Sequence, residues 1–296
     1  MKEQESFKSE YKRKLLETYD FIASFLNEHN LQWWACGGTA IGAVRHKGLI
    51  PWDDDIDICM LRKDYERLMG LQDEVKQKGY ELISFQNNLN SNIFLKVSNR
   101  TTSLIDEENE PFDIGVFVDI FPIDYFDGNE DEFYHLYKRL HKNIRQYRFS
   151  CSIPSISSVT NNIKRGNYPK ALRRLVRLFL PSIVRNRTRK YIDKWNKEYS
   201  VKDSGQYLVS FLGSYGRKEF FSKDWFDGYE ILEYESREIR LFHNYKDYLS
   251  KVYGDYMTPP KIIPETTHIQ YYVNLKEHVE FDEIKRRCAN GVFIEW

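Results

Sequence analysis

An acidic segment around position 55 carries the strongest chemical signal in the sequence. It reads DDDIDICM from position 53 to 60, so carboxylates alternate with apolar side chains in its second half. In a β-strand from Asp53 to Met60, Asp53, Asp55 and Asp57 would share one face. Carboxylates this close repel each other unless a cation lies between them, and Mg²⁺ or Mn²⁺ accepts such oxygen ligands. We therefore predict a catalytic metal site at Asp55 and Asp57, with a solvated acidic loop or a helix cap as the alternative.

A glycine-containing turn precedes this segment. Gly37-Gly38-Thr39 lies between a short apolar run and a short helical pattern. Glycines let backbone N–H groups approach a phosphate, and the N-terminus of the following helix favours an anion. The tripeptide alone is typical of an ordinary turn. Because an acidic strand follows it, we predict that Gly37, Gly38 and Thr39 bind the phosphates of a donor.

A single acid interrupts the apolar run at positions 116–121. Asp119 stands within the sequence VFVDIF, and an unpaired carboxylate buried in a strand is costly. We predict that Asp119 is a third metal ligand or accepts the proton of an attacking hydroxyl group. A structural salt bridge or hydrogen bond is the alternative.

Hydrophobic periodicity indicates the elements that position these residues. It predicts helices at 6–28, 39–46 and 62–78, and strands at 31–36, 53–60, 81–85, 92–98 and 115–121. This pattern indicates an α/β (α+β) fold, with a mixed sheet as its core and helices flanking it. Further along the chain, helices are predicted at 131–149 and 169–196, a Ser-rich loop at 150–162 and a strand at 230–241.

Charge is segregated along the chain although the net charge is zero. Residues 138–197 contain 17 Lys or Arg and one acid, a net charge of +16, so the remainder carries −16. We divide the chain into a catalytic core at 1–128, a basic helical insertion at 129–204 and a C-terminal part at 205–296 that completes the catalytic domain. The insertion is predicted to face an anionic acceptor or membrane surface, with a helix packed on the core as the alternative.

Composition indicates a globular protein without a membrane span. The chain is 41% hydrophobic and 16% aromatic, and it lacks an apolar run of about 18 residues. Its charged beginning lacks the apolar core of a secretory signal, so we expect a cytoplasmic protein that contacts the inner face of the membrane peripherally. The four cysteines are too scattered for a close-spaced zinc knuckle, and we expect reduced, mostly buried thiols.

Four blocks of the sequence resemble the LicD family of phosphocholine transferases, which includes the fukutin-related proteins. They are GGTAIGAVRHKGLIPWDDDIDICMLRKDYERL, FLKVSNRTTSLIDE, GVFVDIFPIDYF and YGDYMTPP, the last followed by His268. The resemblance implies a nucleotidyltransferase-like fold, CDP-choline or a related CDP-alcohol as donor, and a glycan or glycolipid acceptor such as teichoic acid or lipopolysaccharide. We expect no nucleic acid partner.

Several cationic residues lie within or next to these blocks. Exposed cations are usually only solvated, but their place in the blocks predicts contacts with the donor for Arg45, His46, Lys96, Arg100 and His268. A choline head would also need aromatic faces, which attract a quaternary ammonium. The candidates are Trp33, Trp34, Trp52, Tyr125 and Tyr256, with burial in the core as the alternative for each.

Together these residues predict a Mg²⁺-dependent phosphotransferase that moves phosphocholine from CDP-choline to a glycan hydroxyl and releases CMP. A polyol-phosphate transferase, acting on ribitol or glycerol phosphate, would use the same centre. A metal-dependent glycosyltransferase is a further alternative, which the Gly-Gly-Thr turn disfavours. A non-enzymatic adaptor that binds polyanions through the basic segment is the third.

Overall fold

The computed structural model describes residues 2–87, 93–105, 113–151, 156–179, 181–261 and 270–295. The helices are α1 (Lys2–Glu28), α2 (Gly37–His46), α3 (Arg62–Met69), α4 (Gln72–Gln77), α5 (Glu130–Cys151), α6 (Ile156–Lys164), α7 (Tyr168–Phe179), α8 (Pro181–Ser200), α9 (Tyr245–Tyr253) and α10 (Phe281–Ala289). The strands are β1 (Trp34–Ala35), β2 (Asp57–Leu61), β3 (Tyr80–Ile83), β4 (Leu95–Asn99), β5 (Ser103–Ile105), β6 (Phe117–Phe126), β7 (Tyr207–Val209), β8 (Phe220–Ser222), β9 (Tyr229–Tyr234), β10 (Arg237–Phe242), β11 (Tyr272–Asn274) and β12 (Ile294–Glu295). Short 3₁₀-helices lie at Phe85–Asn87, Gly216–Glu219 and Lys223–Phe226.

A seven-stranded mixed sheet forms the centre of the molecule. Its main order is β1-β2-β6-β4-β3, and β7 and β8 extend it from the far end of β6. The pair β2–β6 is parallel, and the other pairs of this sheet are antiparallel. Helices flank the sheet, so the predicted α+β class with a mixed-sheet core is confirmed.

The opening helix covers the sheet with the predicted apolar face. Its side chains at Leu15, Tyr19, Ile22, Phe25 and Leu26 are all at most 2% exposed. They join the strands in one large core, to which α1 contributes through contacts with β4 and β6. The helical spacing of these residues was therefore sufficient to predict which face of α1 is buried.

The acidic strand is shorter than predicted, and this corrects the proposed geometry. β2 begins at Asp57 because its hydrogen bonds with β6 begin there: the Asp119 N–H donates to the Ile56 carbonyl at 2.9 Å, and Asp57 is in register with Asp119. Residues 53–56 have coil geometry, and the Asp53 N–H donates to the Ile50 carbonyl. Strand alternation therefore does not govern the first three acids.

Three other predicted elements differ from the structure. The helix predicted at 62–78 is interrupted at Gly70-Leu71, between α3 and α4. The predicted strand at 230–241 is a hairpin of β9 and β10 that turns at Glu235-Ser236, both with positive φ. Part of the predicted Ser-rich loop, 156–162, lies within α6. Ser and Asn allow a helix when it packs against a neighbour, as α6 does against α7.

A second core joins α5 and α8 to the end of the sheet. Aromatic side chains fill it, among them Phe126, Phe133, Trp195 and Phe211. A buried ion pair lies between this core and the main core. Arg62 of α3 donates from Nε to Asp124 Oδ1 at 2.7 Å and from Nη2 to Asp124 Oδ2 at 3.1 Å. The division of the chain at 128 and 204 stays a prediction, and β7 and β8 show that residues after 204 belong to the main sheet.

All four cysteines are free thiols, as predicted, and three of them are buried. The helices of the described part of the chain are each too short or too polar to cross a membrane.

Candidate active site

Three charged side chains lie in one row across the middle of the sheet. Asp57 on β2 is in register with Asp119 on β6, and Asp119 is in register with Lys96 on β4. Residues opposite each other on neighbouring strands point to the same face, about 5 Å apart. The sheet therefore brings together two of the acids and one of the cations that the sequence indicated separately.

The Lys96 ammonium group pairs with Asp119. Its Nζ lies 2.7 Å from Asp119 Oδ1, and both side chains are less than 10% exposed. The same Nζ lies 3.4 Å from the centre of the Phe117 ring, so the cation is also held over an aromatic face. The salt bridge expected as the alternative for Asp119 is present, and it holds the Lys96 ammonium group against Asp119, on the strand next to that of Asp57.

The loop before β2 adds three further carboxylates. Asp53, Asp54 and Asp55 each have an oxygen within 4.8 Å of the others, and all three are half-buried. Asp54 also accepts a hydrogen bond from Gln270 Nε2 at 3.2 Å. Asp53 and Asp55 were predicted to share one face, but Asp54 was not, because a strand would have pointed Asp54 to the opposite face.

The charges of the neighbouring acids act on Asp57, although Asp57 and Asp119 lie outside the group of Asp53, Asp54 and Asp55 whose oxygens converge within 4.8 Å in the described part of the chain. Burial raises the pKa of Asp57 well above its ordinary value, and the charges of Asp55, Asp119 and Asp53 raise it further, while Lys96 lowers it. A divalent cation among these carboxylates would reverse the repulsion, since its charge favours the ionised form. Converging oxygen ligands with one fixed ammonium group at the edge fit Mg²⁺ or Mn²⁺.

The two glycines of the predicted turn form the first turn of α2 and lie against these acids. A Cβ on Gly37 would lie 2.6 Å from Asp57 Oδ2, and one on Gly38 would lie 2.6 Å from Asp53 Oδ2. Gly37 also has φ +59°, a conformation that favours glycine. The Thr39 hydroxyl accepts the Asp57 N–H at 2.8 Å, which ties the turn to β2. The turn and the acids thus form one continuous surface.

The remaining predicted donor-binding cations lie elsewhere. Arg45 and His46 occupy the last turn of α2, about 13 Å from its first residue. Arg45 donates to the Tyr256 carbonyl at 2.7 Å and lies 5.9 Å from the Trp52 ring. Burial lowers the pKa of His46. The roles predicted for both residues stay predictions.

Arg100 lies about 13 Å along the chain from Lys96, at the exit of β4. It pairs with Glu81 at 3.3 Å and with Asp113 at 3.5 Å, and it contacts His278. These contacts hold it in a cluster away from the row of Asp57, Asp119 and Lys96. The donor contact predicted for it stays a prediction, and His268 lies outside the described residues.

A cavity of about 200 Å³ opens beside the row of charges. Its floor continues the same face of the sheet, through Cys59 on β2 and Phe121 and Ile123 on β6, and it reaches Gly37, Gly38 and Asp57. Its walls come from the C-terminal part of the chain and include Tyr215, Glu219, Tyr248 and Tyr253. The sequence analysis missed these wall residues, because the pattern of residues 205–296 showed only an aromatic composition.

The wall residues are linked to the glycine turn and to each other. The Tyr248 hydroxyl accepts the Gly37 N–H at 3.2 Å, and the rings of Tyr215 and Tyr253 meet edge to face at 4.8 Å. By contrast, Trp33 and Trp34, two aromatic candidates from the sequence, are at most 3% exposed in the main core. The other candidates, Trp52, Tyr125 and Tyr256, are half-buried against the core and do not line the cavity.

Comparison with known proteins identifies this part of the chain with one domain type. Residues 30–152 match the model described as "LicD/FKTN/FKRP, nucleotidyltransferase domain". The matched range includes the glycine turn, the acidic loop, Lys96 and Asp119. The walls of the cavity contributed by Tyr215, Glu219, Tyr248 and Tyr253 lie beyond it.

Individual relatives share different extents of the chain. The lipopolysaccharide cholinephosphotransferase LicD of Haemophilus influenzae is 28% identical over 260 residues, which covers 86% of this chain and 93% of that protein. The ribitol 5-phosphate transferases FKRP of human and mouse are each 35% identical over 63 residues, or 20% of this chain and 13% of theirs. The similarity to the bacterial transferase thus extends past the matched domain into the C-terminal part.

Proposed function

We propose that this chain is a LicD-type phosphotransferase that moves phosphocholine from CDP-choline to a hydroxyl group of a cell-surface glycan precursor, with release of CMP. The acceptor we propose is of the lipopolysaccharide or teichoic acid type. The observation that carries this proposal is the contact between the glycine turn and the acids. Gly37 and Gly38 lie against Asp57 and Asp53, so a phosphate bound by the turn would lie beside the carboxylates.

We propose that Asp53, Asp55, Asp57 and Asp119 would hold Mg²⁺ or Mn²⁺ from this surface. The bound ion would neutralise the phosphate oxygens of the donor and so ease attack at phosphorus. Asp119 is held by its ion pair with Lys96, and we propose that it completes the metal site or accepts the proton of the attacking hydroxyl group.

The amide groups in the first turn of α2, apart from the Gly37 N–H that donates to the Tyr248 hydroxyl, would bind the donor phosphates, because a helix leaves its first N–H groups without partners in the helix. The acceptor oxygen then forms a bond to the phosphorus that carries choline, while the bond from that phosphorus to the CMP oxygen breaks. The proton of the acceptor hydroxyl leaves to a nearby base. Positioning and charge neutralisation account for most of the catalysis in such a transfer, and no Ser or Cys nucleophile is needed.

Choline is favoured over ribitol by the extent of the similarity. The cholinephosphotransferase relative aligns over 93% of its length, whereas the ribitol 5-phosphate transferases align over 13% of theirs. The basic residues of 138–197 support an anionic acceptor or a peripheral contact with an anionic membrane.

The proposal is tested by measuring CMP release from CDP-choline, CDP-ribitol, CDP-glycerol and nucleotide sugars, with a glycan acceptor and Mg²⁺. We expect Mg²⁺-dependent CMP release with CDP-choline and its loss on chelation by EDTA. Turnover of nucleotide sugars in place of CDP-alcohols would show that the protein is a glycosyltransferase. Glycan binding without any nucleotide turnover would favour the adaptor function.

A further inference from the structure

The cavity beside the glycine turn has a buried acid in its wall. Glu219 lies in its wall and is only 5% exposed. Its Oε1 accepts the Tyr215 N–H at 3.1 Å, and in the described part of the chain no Lys, Arg or His forms a salt bridge with it. A buried carboxylate without a cation is costly, because backbone N–H groups replace only part of its hydration.

The structure makes specific room for this carboxylate. A Cβ on Gly213 would lie 2.1 Å from Glu219 Oε1, so only glycine fits beside the acid. Two lysines nearby donate to other groups: Lys218 to the Val252 carbonyl, and Lys251 to the Phe220 carbonyl. The cations close to Glu219 in sequence and space are therefore engaged away from it.

The remaining walls are mainly aromatic, with Ser210 and Ser214 as further polar members. Tyr248 and Tyr253 of α9 and Tyr215, just before the 3₁₀-helix at Gly216–Glu219, surround the cavity, and Phe121 and Phe226 add apolar faces. Tyr215 is 45% exposed and so forms the rim, whereas Tyr248 is buried. Aromatic faces attract a desolvated cation, and the Glu219 carboxylate would add the opposite charge.

The position of the cavity determines which part of a substrate would enter it. It shares Gly37, Gly38 and Asp57 with the candidate active site, and its floor follows the same face of β2 and β6. A group attached directly to the reacting phosphorus would therefore reach it. The cavity volume of about 200 Å³ is many times the roughly 10–15 Å³ that one water-sized probe needs, so the cavity admits a group of several heavy atoms.

We propose that this cavity binds the quaternary ammonium head of the donor alcohol, with Glu219 as its counter-charge and Tyr215, Tyr248 and Tyr253 as its aromatic walls. The proposal rests on the proposed phosphotransferase function and adds the residues that select the alcohol. It accounts for a buried acid with aromatic neighbours beside a phosphate turn. Glu219 and the tyrosines act in binding and selectivity, while the acids of the β2 loop act on the phosphate.

The test is calorimetric titration of CDP-choline, CDP-ribitol and CDP in Mg²⁺ with the wild type, Glu219→Gln and Tyr253→Leu. Each variant should weaken CDP-choline binding about tenfold or more, the size of one lost desolvated cation contact. Affinity for CDP and CDP-ribitol should stay within about twofold of the wild type. Tyr253→Phe, which keeps the ring, should bind CDP-choline like the wild type, and Glu28→Gln, at an exposed position of α1, serves as the matched control for loss of an acid.

Three results would overturn the proposal. If Glu219→Gln binds CDP-choline as tightly as the wild type, Glu219 is not the counter-charge. If the variants lose as much affinity for CDP as for CDP-choline, the cavity binds the nucleoside. CDP-ribitol that binds the wild type as tightly as CDP-choline would show a polyol subsite.

Failure of the proposed function itself gives a different pattern. If the wild type transfers from a neutral CDP-alcohol and Asp57→Asn abolishes that transfer, the proposed phosphotransferase function stands and the proposed ammonium site is rejected. If the wild type uses no CDP-alcohol, titration of phosphocholine and tetramethylammonium into the wild type and Glu219→Gln tests the cavity alone. Equal or absent binding in both proteins rejects the site.

Discussion

Glu219 should make the stability of the protein depend on pH in a direction opposite to that of a salt-bridged acid. Burial raises the pKa of Glu219 from its ordinary 4.5 to about 7, and hydrogen bonds from the Tyr215 and Ser214 N–H groups lower it only in part. A folded-state pKa above the unfolded value means that the folded protein binds the proton more tightly. The contribution of Glu219 to stability is therefore complete below pH 4.5 and is lost as the pH rises through 7.

The size of the effect follows from the shift. A difference of about 2.5 pKa units corresponds to about 3 kcal/mol once the pH is well above 7, and to about 2 kcal/mol at pH 6. Glu219→Gln keeps the shape and the hydrogen-bond acceptor but cannot ionise. The variant should match the wild type in its free energy of unfolding near pH 4.5 and exceed it by about 3 kcal/mol at pH 8.

Urea unfolding at pH values from 4.5 to 8.5 measures this difference directly, because every other titrating group is common to the two proteins and cancels. Glu28→Gln, which changes an exposed acid at the end of α1, should give a difference that stays within about 0.5 kcal/mol across the range. A difference between Glu219→Gln and the wild type that stays flat with pH would refute the reasoning. It would mean that the acid has a cation or water partner that keeps its pKa ordinary.

Three other predictions concern separate parts of the molecule. Asp55→Asn or Asp57→Asn should remove phosphotransfer and leave the circular dichroism spectrum unchanged, with equal or higher stability because repulsion among the acids is relieved; near wild-type turnover would contradict the metal site. Asp124→Asn should cost about 3–5 kcal/mol in urea unfolding because buried Arg62 loses its charged bidentate partner and keeps only the 3.5 Å contact with Glu66 among its acidic neighbours in the described chain, whereas Arg13→Gln, at an exposed ion pair, should cost less than about 1 kcal/mol. Replacing the three exposed arginines Arg173, Arg185 and Arg187 by Gln should weaken binding to anionic vesicles by about 3 kcal/mol at low salt. Equal binding of the variant and the wild type would contradict the role of the basic segment.

Local patterns in the sequence predicted those parts of the fold that local physics determines. The apolar stripe of α1 fixed its buried face, and the apolar runs around Lys96 and Asp119 predicted β4 and β6 within a few residues. The start of β2 could not be read from alternation, because it is set by where β6 offers hydrogen bonds. The hairpin at Glu235-Ser236 was also hidden, since these residues adopt positive φ without the Asn-Gly signal that usually indicates such a turn.

The candidate site also has a part that the sequence predicted and a part that it did not. The sequence predicted Asp55, Asp57 and the glycines as candidates because closely spaced carboxylates and a glycine turn are typical of metal and phosphate binding. The cavity was not, since its floor and walls are more than 80 residues apart in the chain and each wall residue alone resembles an ordinary core aromatic. The one available signal was Glu219, a single acid followed by two phenylalanines in the segment KEFFS. Its place in the cavity wall, beside Gly213, could be recognised only from the fold.

Strand β6 links the chemistry of the site to the position of the basic helices. Asp119 and Asp124 are five residues apart, so they point to opposite faces of the sheet, about 17 Å from each other along the strand. On one face Asp119 holds Lys96 beside Asp57. On the other, Asp124 holds Arg62, whose guanidinium group lies 5.6 Å from the ring of Trp195 in α8. A strand with a buried ion pair on each face therefore connects the row of Asp57, Asp119 and Lys96 to Trp195 of α8, within the basic segment.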